Sequence, residues 1–221
     1  MAHRPTSPDR DAPIIHPPWP AGALTEVLTW ARDRLAPPNG RRVLAVEGRS
    51  GAGKTTLARA VAGRLGAPLI HMDDLYAGWD GLREGVEELR SRVLEPLAEG
   101  RPAGWRRFDW AAGAYAEEHP VPDADWLVVE GVGSGGRVLR PYLCGVVWVD
   151  APTAVRKRRA LARDGETYAP HWARWARQED AFYAADQVRE TADLIVENPG
   201  GPPPGPAVQP PSATGGCVPS A

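Results

Sequence analysis

The residues with the clearest chemical potential form one glycine-rich stretch. Positions 48–55 read GRSGAGKT, which fits G-x-x-x-x-G-K-[ST] and lies between an apolar run and a helical pattern. In such a loop, backbone N–H groups turn toward an anion, the lysine reaches a phosphate chain and the hydroxyl can ligate Mg²⁺. The pattern predicts a site for ATP and Mg²⁺, formed by Gly48, Arg49, Ser50, Gly51, Ala52, Gly53, Lys54, Thr55 and Thr56.

The choice of lysine in this loop is informative. Of the 26 cationic residues, 24 are arginine, yet the position that needs a compact ammonium group is Lys54. The alternative is a glycine-rich turn that matches the pattern by chance. The strand before it and the helix after it argue against that alternative.

Acidic residues follow the predicted strands. Asp73 and Asp74 follow the strand at 69–72, Glu130 follows the strand at 126–129 and Asp150 follows the strand at 146–149. In an open parallel sheet, ligands bind beyond the carboxyl ends of the strands. We expect Asp73 to accept a proton from a substrate hydroxyl and Glu130 to hold Mg²⁺ together with Thr55. Helix capping by Asp73 or Asp74 is the alternative.

A third group of chemical interest is a row of arginines. Arg156, Arg159 and Arg163 are spaced i, i+3 and i+7 in a helical segment at 153–163, and Gly165 follows as a candidate hinge. This spacing predicts a mobile lid that supplies positive charge to phosphates. A solvated basic face, or a weak nucleic-acid patch that includes residues 157–158, is the alternative.

The elements that must position these residues alternate along the chain. Apolar runs predict strands at 43–46, 69–72, 126–129, 146–149 and 194–196, and helical spacing occurs at 21–35, 81–99, 153–163 and 170–189. This order predicts an α/β fold with a five-stranded parallel sheet flanked by helices. The aromatic segment 101–123 is expected to form a flap or hairpin over a pocket. We expect a domain over 21–197, a disordered arm over 1–20 and a disordered Pro/Gly-rich tail over 198–221.

Composition narrows the function classes. A net charge of −2 gives no general attraction to nucleic acid or to anionic membranes. No apolar run approaches the roughly 18–20 residues of a membrane span, and Cys144 and Cys217 have no metal-like spacing, so we expect a cytoplasmic chain without a disulfide scaffold. The sequence is compatible with a homo-oligomer. We interpret Trp172 and Trp175 as core residues, and His71 and His119 as structural.

Several short motifs occur in a characteristic order. They are M-D-D-L-Y at 72–76, W-D at 79–80, E-G-R-P at 99–102, R-F-D-W at 107–110 and V-V-E-G at 128–131. With the loop at 48–55, this series resembles the uridine kinase and nicotinamide riboside kinase family over about residues 41–197. The resemblance implies a P-loop NTPase fold. It also implies transfer of the γ-phosphate of ATP to a hydroxyl of a small molecule, such as a nucleoside or nucleoside-like compound.

The resemblance also assigns roles to individual residues. Asp73 matches the general base, Thr55 and Glu130 match the Mg²⁺ positions, and Arg159 and Arg163 match lid arginines that act on the phosphates with Lys54. The residues in or near the substrate-binding motifs are Asp74, Tyr76, Trp79, Asp80, Phe108, Asp109 and Trp110, of which Asp80 falls near the acid that holds ribose hydroxyls.

The chain departs from this family at one informative position. Gly113 stands where uridine kinases have a base-contacting histidine, so pyrimidine recognition is not implied. Instead, Trp79, Trp105 and Trp110 offer flat surfaces on which an aromatic or pyridinium group could stack. A nucleotide-hydrolysing or regulatory P-loop protein without an acceptor is the rival interpretation.

Overall fold

The computed structural model describes residues 22–35 and 41–199 of the 221-residue chain. In chain order its elements are α1 (Ala23–Arg32), β1 (Arg42–Glu47), α2 (Lys54–Leu65), β2 (Leu69–His71), α3 (Leu82–Leu89), α4 (Glu95–Ala98), β3 (Gly104–Asp109), β4 (Ala114–Pro120), β5 (Trp126–Glu130), β6 (Gly145–Asp150), α5 (Thr153–Tyr168), α6 (Trp172–Asp186) and β7 (Leu194–Glu197).

Five of these strands form one parallel sheet in the order β2-β5-β1-β6-β7. The predicted five-stranded α/β fold is therefore confirmed. All five residues of β5 are buried, because helices cover both faces of the sheet. The order places β5 between β1 and β2, so the chain segments that follow these three strands emerge side by side at one edge.

The alternation of side chains along the strands divides the core into two layers. On one face, Leu44 and Val46 of β1 pack with residues of α1 and α2 such as Val27 and Leu57. On the other face, Val43 and Ala45 belong to a cluster that includes α3 and α6. The sheet is thus held between α1 and α2 on one side and α3 and α6 on the other.

The helical segment predicted at 81–99 is not one regular helix. A π-helical turn over Arg90–Leu94 separates α3 from α4, and Pro96 lies in the first turn of α4. Proline has no N–H group and its ring crowds the preceding turn, and a wider π turn relieves both conflicts. The irregularity therefore begins before the proline, at Arg90.

Strands β3 and β4 form the hairpin expected at 101–123, with a register irregularity between Arg106 and Phe108. Among residues 22–35 and 41–199, no helix has the length and apolar content that a membrane crossing requires. The predicted arm at 1–20, Cys217 and the predicted tail from residue 200 onward lie outside the described residues. Asn198, which we assigned to the start of the tail, is fully buried and its backbone N–H donates to the carbonyl of Asp150.

Candidate active site

The glycine-rich loop joins the end of β1 to the start of α2. Its backbone has positive φ angles at Gly48, Gly51 and Gly53, a conformation that favours glycine. A Cβ atom on Gly51 would lie 2.1 Å from the carbonyl oxygen of Arg156, so the loop packs closely against the start of α5. Lys54 is the first residue of α2, and its Nζ donates to the carbonyl of Arg49 across 3.2 Å. The loop therefore connects a strand to a helix through left-handed glycines, as the sequence pattern predicts.

Thr55 and Glu130 meet beside this loop. The Thr55 hydroxyl donates to Glu130 Oε1 across 3.0 Å, and His71 Nδ1 lies 2.6 Å from the same oxygen. Burial alone would raise the pKa of Glu130, but the contact and charge of His71, with the charge of Lys54, hold it below its ordinary value. Burial likewise opposes the charged form of His71, yet Glu130 raises the pKa of that imidazole. Glu130 is thus held as a carboxylate.

The donor set of this pair fits a magnesium ion. A hydroxyl and a carboxylate supply hard oxygen donors, and Mg²⁺ typically uses one or two protein oxygens together with phosphate oxygens and water. No group of three or more His, Cys, Asp or Glu side chains within the described residues could hold a metal by itself. Thr55 and Glu130 are therefore residues that could hold Mg²⁺ jointly with a nucleotide.

Asp73 lies in a short 3₁₀ turn, Met72–Asp74, directly after β2. The residue is exposed to solvent, although protein groups lie around its carboxylate. Desolvation by this surrounding protein raises the pKa of Asp73; the charges of Arg163 and Lys54 oppose the rise and that of Glu130 adds to it. The structure therefore brings Asp73 into the same electrostatic neighbourhood as Lys54, Glu130 and Arg163.

The β3–β4 hairpin is fastened to the turn that carries Asp73. The indole Nε1 of Trp110 donates to the carbonyl of Asp73 across 2.9 Å, and the hydroxyl of Tyr115 donates to the carbonyl of Leu75 across 3.1 Å. Trp110 remains 40% exposed. The hairpin thus places a partly open aromatic ring next to the candidate base.

Four residues that were predicted to contact the substrate have partners within the fold. Tyr76 is a core residue: it is 1% exposed and its hydroxyl donates to the carbonyl of Val132. The carboxylate of Asp80 is paired with Arg174.

The other two residues belong to the hairpin. Phe108 is buried against Trp110 and Tyr115. The carboxylate of Asp109 accepts the N–H groups of Ala111 and Ala112 in the hairpin turn.

The predicted stacking surfaces are also partly occupied by the protein. The Trp79 ring is stacked with the rings of Tyr168 and His171, with centroid distances of 5.3 Å and 4.4 Å. Trp105 stacks on His119 within the hairpin. Of the three tryptophans, Trp110 is the one that is exposed and contacts Asp73. Asp74 is half-buried in the same 3₁₀ turn as Asp73.

The three arginines of α5 do not form one solvated face. Arg156 is buried and donates to the carbonyls of Ala151 and Ser50, so its role is to support the phosphate loop. Arg159 donates to the side-chain oxygen of Asn198, and the exposed Arg163 is the arginine whose charge acts on Asp73.

The predicted hinge and the last predicted strand also bear on this site. Gly165 interrupts α5 with φ 55° and ψ −136°, where the sequence predicted a hinge. The side-chain nitrogen of Asn198, just after β7, donates to the carbonyl of Ala52 across 2.8 Å. The phosphate loop is therefore braced from the far edge of the sheet as well as from α5.

A buried glutamate directly before the loop escaped the sequence interpretation. Glu47 is fully buried and accepts hydrogen bonds from the N–H groups of Gly48 and Gly135 and from the hydroxyl of Tyr183. Desolvation raises the pKa of Glu47 to about 7, despite these hydrogen bonds and the nearby charge of Lys54. This carboxyl group is a structural link between β1, α6 and the loop after β5.

Other residues of the site were missed for identifiable reasons. His71, which we interpreted as structural, contacts Glu130, and its position two residues before Asp73 was a usable signal. Glu179 accepts the N–H of Ser50 across 2.8 Å, although 129 residues separate them. No sequence spacing signals a contact of that kind. Trp175 is buried, as we expected for a core residue.

The strand order, the phosphate loop and the acids beyond β2 and β5 define a P-loop kinase of small molecules. A cytidylate kinase from Pyrobaculum arsenaticum is 31% identical over 166 residues, which cover 70% of this chain and 83% of that protein. A second one, from Pyrobaculum aerophilum, is 30% identical over 136 residues, which cover 57% of this chain and 62% of that protein. The chain belongs to the same kinase family as these proteins.

A solved structure supports the fold independently. A protein described as a possible uridine kinase from Bacillus stearothermophilus superposes with a TM-score of 0.59 at 21% identity, covering 78% of this chain and 96% of that one. At this identity the likeness establishes the fold alone. No family model matches the chain. The predicted resemblance to P-loop small-molecule kinases is confirmed.

Proposed function

We propose that this kinase transfers the γ-phosphoryl group of ATP to a hydroxyl group of a small molecule of nucleoside type. The observation that carries the proposal is the position of Asp73, whose exposed carboxylate lies within electrostatic range of Lys54, Glu130 and Arg163. An alcohol is a weak nucleophile, and a carboxylate placed beside the phosphate site can accept its proton during transfer.

The charges around Asp73 suit this reaction. A carboxylate with a raised pKa is a stronger base than an ordinary aspartate, and desolvation raises the pKa of Asp73. Lys54 and Arg163 supply positive charge where negative charge spreads over the transferring group. When bound, Mg²⁺ would neutralise charge on the β- and γ-phosphate oxygens, and Thr55 and Glu130 are the residues that would hold it.

The second candidate acceptor is a nucleoside monophosphate, which the name of the cytidylate kinase relatives suggests. Such an acceptor reacts through a phosphate oxygen that is already ionised, so it does not need a base. A binding site for its phosphate uses cationic groups, and in the hairpin Arg106 is paired with Glu88 and Arg107 with Glu117. These pairings and the exposed Asp73 carboxylate favour a hydroxyl acceptor.

A screen of ATP consumption tests the proposal. The acceptors are cytidine, uridine, nicotinamide riboside, sugars, aminoglycoside-type alcohols and, as the competing class, CMP and UMP. We expect phosphorylation of one hydroxyl compound well above the rate without an acceptor. A preference for CMP or UMP would support the nucleotide alternative. Equal ATP hydrolysis with and without every acceptor would support a nucleotide-hydrolysing protein instead.

A further inference from the structure

A buried carboxylate from α6 holds the phosphate loop. Glu179 is 1% exposed, and its Oε1 accepts the backbone N–H of Ser50 across 2.8 Å and the indole N–H of Trp175 across 3.1 Å. Its Oε2 lies 3.6 Å from the guanidinium of Arg49, the residue before Ser50. Glu179 therefore joins two consecutive loop residues to a helix that follows them by about 130 positions in the chain.

A carboxylate at this place has an electrostatic cost. It lies next to a loop whose function is to bind an anionic phosphate chain, and like charges repel strongly where water is excluded. Arg49 offsets part of that charge: besides its contact with Glu179, it forms an ion pair of 2.7 Å with Asp180 and lies over the Tyr183 ring. A hydrophobic side chain would fill the position without this cost, so the hydrogen bond to Ser50 needs an explanation.

The same Ser50 is held from the opposite side. Arg156, at the start of α5, donates to the Ser50 carbonyl across 3.3 Å. The N–H and the carbonyl of this one loop residue are thus engaged by two different helices, α6 and α5.

We propose that Glu179 is a positioning residue that holds the phosphate loop in its binding conformation. It contacts the loop and not the phosphates. By fixing the peptide of Ser50, it keeps the N–H groups of the following residues converging, so less ordering is required when a triphosphate binds. The inference rests on the proposed function in one respect, namely that the ligand of the loop is Mg·ATP.

The test is Mg·ATP binding to the full chain by titration calorimetry, without any acceptor, for Glu179→Ala, Glu179→Gln and Asp180→Asn. Asp180→Asn is the matched control, because it removes a neighbouring carboxylate that contacts Arg49 but not Ser50. We expect Glu179→Ala to raise the Kd about tenfold, which corresponds to the loss of one hydrogen bond to a charged group. Glu179→Gln should recover most of this loss, because its amide oxygen can still accept the Ser50 N–H.

Equal Kd values for wild type and all Glu179 variants would overturn the inference while leaving the proposed function intact. A Glu179→Gln variant as weak as Glu179→Ala would also overturn it, because charge and not the hydrogen bond would then be responsible. Wild-type protein that does not bind Mg·ATP would overturn the proposed function and this inference together. If Glu179→Ala does not fold, Glu179→Asp, whose side chain is one methylene shorter and therefore reaches the Ser50 N–H less well, should raise the Kd about threefold; an unchanged Kd would contradict the inference.

Discussion

The hydroxyl of Thr55 donates to Glu130 across 3.0 Å, which joins the first turn of α2 to the end of β5. This pairing depends on the strand order, because β5 lies directly beside β1, whose end leads into the phosphate loop. Two side-chain oxygens that could ligate a metal, from residues 75 positions apart in the chain, thereby meet beside the candidate phosphate site.

The first prediction concerns Mg²⁺. Glu130→Gln should raise the Mg²⁺ concentration needed for half-maximal ATP turnover at least about tenfold, because a neutral amide is a poorer ligand than a carboxylate. Turnover is measured across a magnesium titration at saturating ATP. Thr55→Ser is the control, since it retains the hydroxyl and should keep a near wild-type midpoint. An unchanged midpoint for Glu130→Gln would remove Glu130 from the metal site.

The second prediction concerns the hairpin. Trp110→Phe removes the N–H that is donated to the Asp73 carbonyl but keeps an aromatic ring. We expect the KM of the acceptor to rise roughly three- to tenfold, as for one lost hydrogen bond, while the KM of ATP stays the same. Steady-state kinetics with the acceptor found in the screen measures both values.

The hairpin contains its own control for this substitution. The indole N–H of Trp105 has no hydrogen-bond acceptor among the residues that the structure describes. Trp105→Phe therefore makes the same chemical change without breaking such a bond, and it should leave the acceptor KM close to wild type. Similar effects of Trp105→Phe and Trp110→Phe would mean that the bond to Asp73 is not what positions the hairpin.

The third prediction separates Tyr76 from substrate binding. Tyr76→Phe leaves the buried carbonyl of Val132 without its hydroxyl donor, so the free energy of unfolding should fall by about 1–2 kcal/mol. Denaturant unfolding measures this change. The acceptor KM should stay unchanged, because the hydroxyl faces the core; a raised KM at unchanged stability would restore Tyr76 as a substrate contact.

The fourth prediction concerns Glu47 and pH. The pKa of Glu47 is about 7 in the folded chain, whereas the ordinary value, which applies to the unfolded chain, is 4.5. Between pH 4.5 and 7 the folded state therefore binds more protons than the unfolded state. The free energy of unfolding should therefore fall as pH rises from about 4.5 to 7, and Glu47 accounts for about 3 kcal/mol of this fall.

Urea unfolding at several pH values from 4.5 to 8 isolates this contribution. Glu47→Gln cannot titrate, so the fall in its unfolding free energy over this range should be smaller than that of wild type. Glu190→Gln, which replaces an exposed glutamate, should follow the wild-type curve. If Glu47→Gln loses stability with pH as steeply as wild type, Glu47 is not the group responsible.

The sequence was sufficient for features that depend on residues close together in the chain. The loop around Lys54 and the acid at Glu130 follow directly from strand ends, and strand ends are visible as apolar runs. The sequence did not show that the fold buries Tyr76 and pairs Asp80 with Arg174, because adjacency to a motif does not indicate the direction of a side chain.

Long-range contacts account for the rest of what sequence reasoning missed. Glu179 and Asn198 reach the phosphate loop only because α6 and β7 fold back against it. Neither residue type nor spacing along the chain signals such a contact. Arg156 shows the same limit, since its spacing matches Arg159 and Arg163 while its side chain is buried against Ser50.

The most direct test of the account is Asp73→Asn, measured as Mg·ATP binding and as single-turnover phosphoryl transfer to the hydroxyl acceptor. Loss of a general base predicts transfer slower by about a hundredfold or more with a Kd for ATP close to wild type. Asp123→Asn, at an exposed carboxylate paired with Arg41 on the β4–β5 connection, should change neither value. Full transfer by Asp73→Asn would contradict the central claim that this carboxylate activates the acceptor.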